Sequence, residues 1–243
     1  MQISILEIKN LSKTFGGLRA VKNLNFCVNG REILGIIGPN GSGKTTIFNL
    51  ILGYHIPDTG SVMFNDTELV RLKPHEICNM GLSRTFQLTK PFLNISVFDN
   101  VMVGAYNRTR DSRTAVTIAT EMLEFVGLTR LKDQIAKNLT IPERKDLEIG
   151  RALATKPEIL FLDEPVAGLN EAETAKMQES IKQINKMGIT IVVIEHVMKA
   201  IMSLSNRIVV LNHGEKIAEG TPFEVAKNEK VISSYLGEEY KFA

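Results

Sequence analysis

A glycine-rich segment at residues 38–45 has the composition and spacing of a loop that binds phosphate groups. It reads Gly-Pro-Asn-Gly-Ser-Gly-Lys-Thr and matches the pattern G-x-x-x-x-G-K-[ST]. Glycines let the backbone curl so that several N–H groups point at phosphate oxygens, and the following helix adds its positive end. The pattern predicts that Lys44 reaches the β and γ phosphates of ATP and that the hydroxyl of Thr45 ligates Mg²⁺.

The context of this loop supports the same prediction. An apolar run, residues 32–37, precedes it, and a helical pattern over residues 46–52 follows it, which is the strand, loop and helix order that such a loop requires. A glycine turn that only caps a helix is the alternative interpretation. The ATP-binding residues predicted here are Gly38, Pro39, Asn40, Gly41, Ser42, Gly43, Lys44, Thr45 and Thr46.

Two carboxylates follow a second apolar strand, Ile159 to Leu162. Ligands bind at the carboxyl ends of parallel strands, so we expect Asp163 near the metal and Glu164 placed to polarise an attacking water. Alone, the pair could equally be two solvated acids that open a turn. His196 ends a third apolar run, IVVIEH, where a lone histidine is more often a surface or core residue.

The elements that must position these residues alternate between strands and helices, which predicts an α/β fold. The core is a mostly parallel sheet with an N-terminal antiparallel β part. A mostly helical stretch, residues 96–153, predicts a helical subdomain at about 90–153, inserted in one domain of residues 1–243. The other strands are expected at 3–8, 24–28, 189–194, 207–211 and 216–219, with a turn at Lys13 to Gly17, a hairpin at 57–66 and helices at 75–80, 171–187, 197–204 and 222–236.

Composition limits the function classes. The chain has 243 residues and a net charge of +2, which gives no support to a broad nucleic-acid-binding face. Its two cysteines, Cys27 and Cys78, lack the spacing of a metal site or a disulfide framework. No apolar stretch approaches the roughly 18 residues that span a bilayer. We therefore expect a soluble, cytoplasmic chain whose membrane role, if any, comes through a partner.

Taken together, the motifs resemble those of the ABC ATPase family over nearly the whole chain. Phe15, in KTFGG, resembles the aromatic residue that stacks on adenine. Gln87, in SRTFQL, resembles the glutamine that touches the metal and senses a membrane partner. Residues 167–170 resemble the D-loop, and His196 resembles the histidine that contacts the γ-phosphate. The resemblance implies an ATPase in which Lys44, Glu164 and His196 are catalytic and in which Thr45, Gln87 and Asp163 hold Mg²⁺.

Some segments resemble a narrower subfamily. RTFQL, DEPVAGLN and the tail EGTPFEV…VISSYLG resemble the ATP-binding subunits of branched-chain amino acid importers. This implies transmembrane permease subunits and a second ABC ATPase subunit as partners, at the cytoplasmic face of the membrane. An exporter of lipid or polysaccharide, a soluble ABC ATPase acting on DNA or ribosomes, and a non-catalytic nucleotide-binding regulator remain alternatives.

The family's signature, Leu-Ser-Gly-Gly-Gln, is altered in this chain. Both glycines are missing, a proline without an N–H is present, and a carboxylate ends the segment. The T-x-x-E spacing predicts instead a capping box that starts a helix. In the family this segment acts on the ATP of a paired subunit, so the alteration favours a heterodimer, while a homodimer stays possible. The matching positions are Leu139, Thr140, Ile141, Pro142 and Glu143.

Overall fold

Secondary structure is described by a computed structural model for residues 4–87 and 91–236. The strands are β1 (Ser4–Phe15), β2 (Leu18–Asn29), β3 (Ile33–Ile37), β4 (Thr59–Phe64), β5 (Thr67–Glu68), β6 (Leu82–Arg84), β7 (Ile159–Asp163), β8 (Thr190–Ile194), β9 (Arg207–Asn212) and β10 (Glu215–Gly220). The helices are α1 (Lys44–Ile51), α2 (Pro74–Met80), α3 (Val97–Ala105), α4 (Ser112–Phe125), α5 (Ile141–Ala154), α6 (Glu171–Lys186), α7 (Met198–Leu204), α8 (Pro222–Ala226) and α9 (Glu229–Leu236).

The first of two compact units combines both ends of the chain, Met1–Pro74 and Thr190–Ala243. Its antiparallel sheet has the order β2-β1-β4-β5. Its second set of strands has the order β10-β9-β3-β8, in which β3 runs parallel to both β8 and β9. Every residue of β3 and β8 is buried, as expected for parallel strands that are covered on both faces. This unit carries the glycine-rich loop.

The second unit is the continuous segment His75–Ile189. Strand β6 pairs in parallel with β7, and helices α3, α4 and α5 pack against one another. The predicted helical stretch is thereby confirmed as helical, and the boundaries of a subdomain at about 90–153 remain a prediction. Within residues 4–87 and 91–236, no helix combines the length and apolar character that crossing a membrane requires.

Two predictions of local structure were wrong, and one strand was not predicted. Lys13 to Phe15 belong to β1 and not to a turn, because antiparallel pairing with β2 continues to Phe15 and only two glycines, with φ of +49° and +89°, form the connection. The tail helix is interrupted, because Asn228 accepts backbone hydrogen bonds that begin α9. Strand β6 had no counterpart among the predicted elements. Its three residues include a serine and an arginine, so the sequence shows no apolar run.

Candidate nucleotide-binding and catalytic site

The glycine-rich loop connects the end of β3 with the start of α1, as predicted. Gly43 stands at the N-cap of α1 with φ +101°, a left-handed conformation that favours glycine. A Cβ on Gly43 would lie 2.3 Å from the backbone oxygen of Ala20. Gly41 also has a positive φ, +78°, but nothing lies near its missing Cβ. The loop therefore needs a glycine at 43 for close packing and at 41 for backbone conformation.

Lys44 folds back over the loop that it ends. Its Nζ donates to the backbone oxygens of Gly38 and Pro39 at 2.7 and 3.0 Å. The hydroxyl of Ser42 is buried and has no hydrogen-bond partner within residues 4–87 and 91–236. A Cβ on Gly38 would meet the backbone oxygen of Leu211 at 2.3 Å, so this segment has no room for a side chain. A tight backbone cradle, a lysine ammonium and an unsatisfied hydroxyl are the groups that a polyphosphate needs.

The first turn of α1 contains no acidic residue and no side-chain cap on its N-terminus. Thr45 is exposed there and Thr46 is half-buried, while Asn40 is exposed on the loop. The positive end of the helix is therefore not neutralised from within its own first turn. Such a start fits an anion supplied from outside.

Phe15 lies at the end of β1 and is 40 % exposed. Two neighbouring side chains lie close to its ring. The ring of His55 meets it edge-on, with centroids 5.1 Å apart and planes at 69°, and the Nζ of Lys13 lies 5.4 Å from the Phe15 centroid. Asp58 accepts from Lys13 Nζ at 2.9 Å and from the backbone N–H of Thr14 at 2.7 Å. These two bonds lower the pKa of Asp58. An accessible ring held in this way can stack on a planar base.

His196 lies just beyond the end of β8 and is exposed. Its backbone N–H donates to the carboxylate of Glu195, which is buried, at 3.2 Å. His196 thus lies at a strand end, where the sequence predicted it.

In the second unit, Asp163 is the last residue of β7 and is buried. Its Oδ2 accepts a hydrogen bond from the guanidinium of Arg84 at 3.0 Å, and the two side chains are only 1 % and 7 % exposed. The guanidinium carbon also lies 4.5 Å from the ring centroid of Phe86. Carboxylate oxygens are among the ligands that a divalent cation such as Mg²⁺ takes.

Glu164 has a left-handed backbone, with φ +51°, although it is not a glycine. Its Oε2 accepts from Gln87 Nε2 at 2.9 Å, so the structure brings these two predicted residues together. Its backbone oxygen accepts from Lys145 Nζ at 3.1 Å. Strained conformations of this kind persist where the surroundings enforce them and are frequent at functional sites.

The altered signature forms the capping box that the sequence predicted. Glu143 Oε2 accepts from both the backbone N–H and the hydroxyl of Thr140, each at 2.8 Å. Helix α5 begins at Ile141, which is 60 % exposed, and Pro142 lies in its first turn. Leu139 is buried and holds its end of the segment in place. The donors at this helix start therefore already bind a carboxylate of the same chain.

Residues 167–170 lead from Glu164 into α6. The N–H of Ala167 donates to the Glu164 backbone oxygen at 3.2 Å, and Asn170 caps α6 by accepting from the N–H of Glu173 at 3.0 Å. Glu173 in turn accepts from the Asn170 N–H at 2.9 Å. This segment is thus anchored at both ends.

The residues predicted to hold Mg²⁺ are compatible with that ion. Within residues 4–87 and 91–236, no three His, Cys, Asp or Glu side chains are grouped as a metal cage. Mg²⁺ usually takes one or two protein oxygens together with substrate phosphates and water. The exposed hydroxyl of Thr45 and the carboxylate of Asp163 offer oxygen ligands of that kind.

Sequence reasoning missed two cations of this site, Arg84 and Lys145. Arg84 could have been noticed as a charge directly before the predicted Gln87 segment. Lys145 lies in a helix start rich in charged residues, where nothing in the pattern singles it out.

Comparison with known proteins places these motifs in a family. The ABC transporter family model matches residues 21–167, and the model described as branched-chain amino acid ATP-binding cassette transporter matches residues 215–241. The chain is 39 % identical over 254 residues to the high-affinity branched-chain amino acid transport ATP-binding protein LivG of Escherichia coli K12, with 98 % of this chain and all of LivG covered. It is 32 % identical over 242 residues to LptB, the lipopolysaccharide export system ATP-binding protein of the same organism, with 98 % and 100 % covered.

A solved structure agrees over the same extent. The crystal structure of the ADP conformation of MJ1267, an ATP-binding cassette of an ABC transporter, superimposes with a TM-score of 0.88 at 31 % identity, covering 97 % of this chain and all of that one. Family model, relatives and structure all span the glycine-rich loop and the carboxylate pair. The chain belongs to the ABC transporter family and is one of its ATP-binding, ATP-hydrolysing cassettes.

Proposed function

We propose that this chain hydrolyses ATP to drive an importer of branched-chain amino acids. The observation that carries the proposal is the match of its tail, residues 215–241, to a family model specific for branched-chain amino acid cassettes. The higher identity to LivG than to LptB, 39 % against 32 %, favours import over export of a lipid or polysaccharide. The chain would act at the cytoplasmic face of the membrane, bound to permease subunits.

In the proposed cycle, adenine stacks on Phe15 and the phosphates lie on residues 38–46. Lys44 releases the backbone oxygens of its own loop and turns to the β and γ phosphates. Thr45, Gln87 and Asp163 would hold Mg²⁺. When bound, Mg²⁺ neutralises charge that develops on the transferred phosphate.

The remaining residues of the proposed cycle act on the attacking water and on the γ-phosphate. Glu164 orients the attacking water and takes up its proton, and His196 contacts the γ-phosphate. Gln87, which binds the Glu164 carboxylate at 2.9 Å, would exchange that bond for another when nucleotide enters. The same exchange offers a route by which a permease subunit that contacts residue 87 senses the nucleotide.

Pairing with a second cassette is the next part of the proposal. The helical subdomain at about 90–153 would present residues 139–143 to the ATP bound by its neighbour. Because the Glu143 carboxylate takes the Thr140 N–H and hydroxyl, these donors are engaged within the chain. The γ-phosphate is negatively charged and would also be repelled by the Glu143 carboxylate. We therefore favour a heterodimer in which a related subunit supplies a standard signature to this chain's own ATP site.

Transport by the purified complex tests the proposal. The chain would be expressed with the permease subunits that co-purify with it, reconstituted in liposomes, and supplied with ATP, a solute-binding protein and labelled leucine. ATP-dependent uptake of leucine that is lost with Glu164→Gln, while ATP binding persists, supports the proposal. Release of a lipid or polysaccharide, or co-purification with ribosomes or DNA in place of permeases, would show that the transported class is wrong.

The oligomeric part has its own measurement. With Glu164→Gln, ATP-dependent dimers of the isolated chain would be sought by analytical ultracentrifugation. The heterodimer proposal expects the isolated chain to stay monomeric and to dimerise with its partner cassette. Homodimers of the wild-type chain with two equally active sites contradict it.

A further inference from the structure

Lys145, in the second turn of α5, is a buried cation that the proposed cycle does not use. The residue is only 8 % exposed, yet its ammonium reaches the backbone oxygen of Glu164 at 3.1 Å. The N–H of Ala167 donates to the same oxygen at 3.2 Å. Because a carbonyl oxygen has two lone pairs, these bonds fill its capacity. The peptide group that follows Glu164 is thereby fixed from two sides.

The backbone of Glu164 needs such support. Its φ of +51° is unfavourable for a residue with a Cβ, and it persists only where contacts enforce it. At the other end of the residue, Gln87 binds the carboxylate at 2.9 Å. Lys145 therefore acts on the half of Glu164 that Gln87 does not hold. Loss of its bond would let the backbone relax and would turn the carboxylate away.

The surroundings of Lys145 explain why an ammonium can serve here. Burying a positive charge is costly unless dipoles or carboxylates compensate it. Lys145 lines a small cavity together with Glu148 and Asp163, two buried carboxylates, and it contacts the carbonyl dipole of Glu164. The printed bond of the ammonium is therefore to the Glu164 backbone, and the two carboxylates lie on the same cavity.

Helix α5 links this lysine to the altered signature. Lys145 lies five residues after Thr140, about 7 Å along a stiff helix whose first turn is closed by Glu143. If a neighbouring subunit displaces the start of α5, the Lys145 ammonium should therefore move by nearly the same distance. The ammonium then carries the displacement to the Glu164 backbone.

We propose that Lys145 is a positioning residue that ties α5 to the backbone of Glu164, so that engagement of residues 139–143 by a second cassette adjusts the catalytic carboxylate in this chain's own ATP site. The inference rests on the proposed function, which assigns Glu164 to the attacking water. It adds a connection between the two ATP sites of a pair that the signature alone does not provide.

The test compares Lys145→Met, Lys145→Arg and Lys176→Met in the assembled transporter complex. Lys176→Met is the matched control, because it removes an exposed ammonium that pairs with Asp146 of the same helix. For Lys145→Met, kcat should fall at least about tenfold with KM for ATP unchanged within about twofold, since misalignment affects the chemical step. Lys145→Arg should recover most of this loss, and Lys176→Met should behave as wild type.

Amide hydrogen exchange supplies a readout that does not depend on turnover. The Ala167 N–H bonds the same Glu164 oxygen, so its exchange should accelerate in Lys145→Met and stay slow in Lys145→Arg and Lys176→Met. Unchanged kcat and unchanged exchange in Lys145→Met would overturn the inference. If the methionine variant does not fold, a slow kcat in a folded Lys145→Arg with slow Ala167 exchange would overturn it as well.

Glu164→Gln separates this inference from the proposed function. If that variant is inactive while Lys145→Met turns over normally, the proposed function stands and the positioning role is wrong. If Glu164→Gln itself turns over normally, the assignment of Glu164 is wrong. The positioning role of Lys145, which depends on that assignment, is then wrong as well.

Discussion

Helices α1 and α5 both begin at segments that resemble nucleotide-binding motifs, but their first turns are built in opposite ways. Gly43 caps α1 with no side-chain acceptor, and no acidic residue occupies its first turn. Thr140 caps α5, and the carboxylate of Glu143 accepts both its N–H and its hydroxyl hydrogen. The first start leaves its backbone donors to a ligand, and the second uses an internal anion.

The two helices differ in whether a carboxylate of the chain already occupies donors at the helix start. Both helices carry the same peptide dipoles, and only the absence of an internal acceptor leaves them available. Helices α6 and α8 repeat the closed arrangement, with Glu173 and Glu224 bound back to their cap residues. The closed start stabilises a helix, whereas the open start gives up this stabilisation for a binding site.

The largest expected effect is a loss of ATP affinity when a methyl group is added to the cap residue of α1. Gly43→Ala adds a Cβ 2.3 Å from the Ala20 oxygen at a φ of +101°, so ATP affinity should fall more than about a hundredfold. Titration with a fluorescent ATP analogue measures it. Gly41→Ala is the matched control, since its φ is also positive but the space is open, and it should lose no more than about tenfold. Equal losses would show that close packing at residue 43 is unimportant.

A transplanted carboxylate should have the next largest effect. Thr46 occupies the third helical position of α1, as Glu143 does in α5. Thr46→Glu should reduce ATP affinity by about tenfold to a hundredfold, because its carboxylate competes for the donors and repels phosphate. Calorimetric titration would compare it with Thr46→Gln, which has the same size without the charge. If both variants bind ATP equally, the internal anion is not what separates the two helix starts.

Removing the carboxylate from the closed start should weaken the helix. Glu143→Ala frees both Thr140 donors and should lower the free energy of unfolding by about 0.5–2 kcal/mol, as measured by urea denaturation. Glu121→Ala, an exposed carboxylate in α4, is the control and should change it by less than about 0.5 kcal/mol. A Glu143 variant as stable as the control would mean that the capping box contributes nothing.

The smallest effect is a pH dependence at α8. Hydrogen bonds from the Thr221 N–H and hydroxyl lower the pKa of Glu224, so its ionised form stabilises the fold. This contribution is complete above the unfolded-state pKa of about 4.3 and is lost as pH falls through the lower folded-state pKa. The stability difference between wild type and Glu224→Gln should therefore shrink on acidification, measured by denaturation between pH 7 and pH 3. A difference that is constant with pH would contradict the closed start at α8.

Features that depend on neighbouring residues in the chain could be predicted from the sequence. The loop between β3 and α1, the carboxylates at the end of β7 and the capping box at Thr140 each lie within one short segment, and the structure places all three as predicted. Periodicity likewise located the buried strands, because full burial requires a continuous apolar run.

Features that depend on distant residues could not be predicted. Arg84 bonds Asp163 across 79 positions, and Lys145 bonds Glu164 across 19. Strand β6 is recognisable only beside β7, since its own three residues carry no alternation. The length of β1 was underestimated for a related reason, because Asn10, with φ +51°, lets the strand continue through a bulge that local propensity counts as a break. Arg84 and Lys145 were thus missed, and the chemical roles of the residues that they contact remain predictions.

The first unit is assembled from both ends of the chain, and this has a consequence for biosynthesis. Strand β3 pairs with β8 and β9, whose residues follow it by more than 150 positions. At about 5–20 residues per second, a ribosome needs roughly 8–30 s to make that intervening segment. During this interval the apolar β3, with the glycine-rich loop attached, lacks both neighbouring strands, while the continuous second unit has all of its residues available. A chaperone would therefore find β3 exposed in nascent chains that are paused after residue 189.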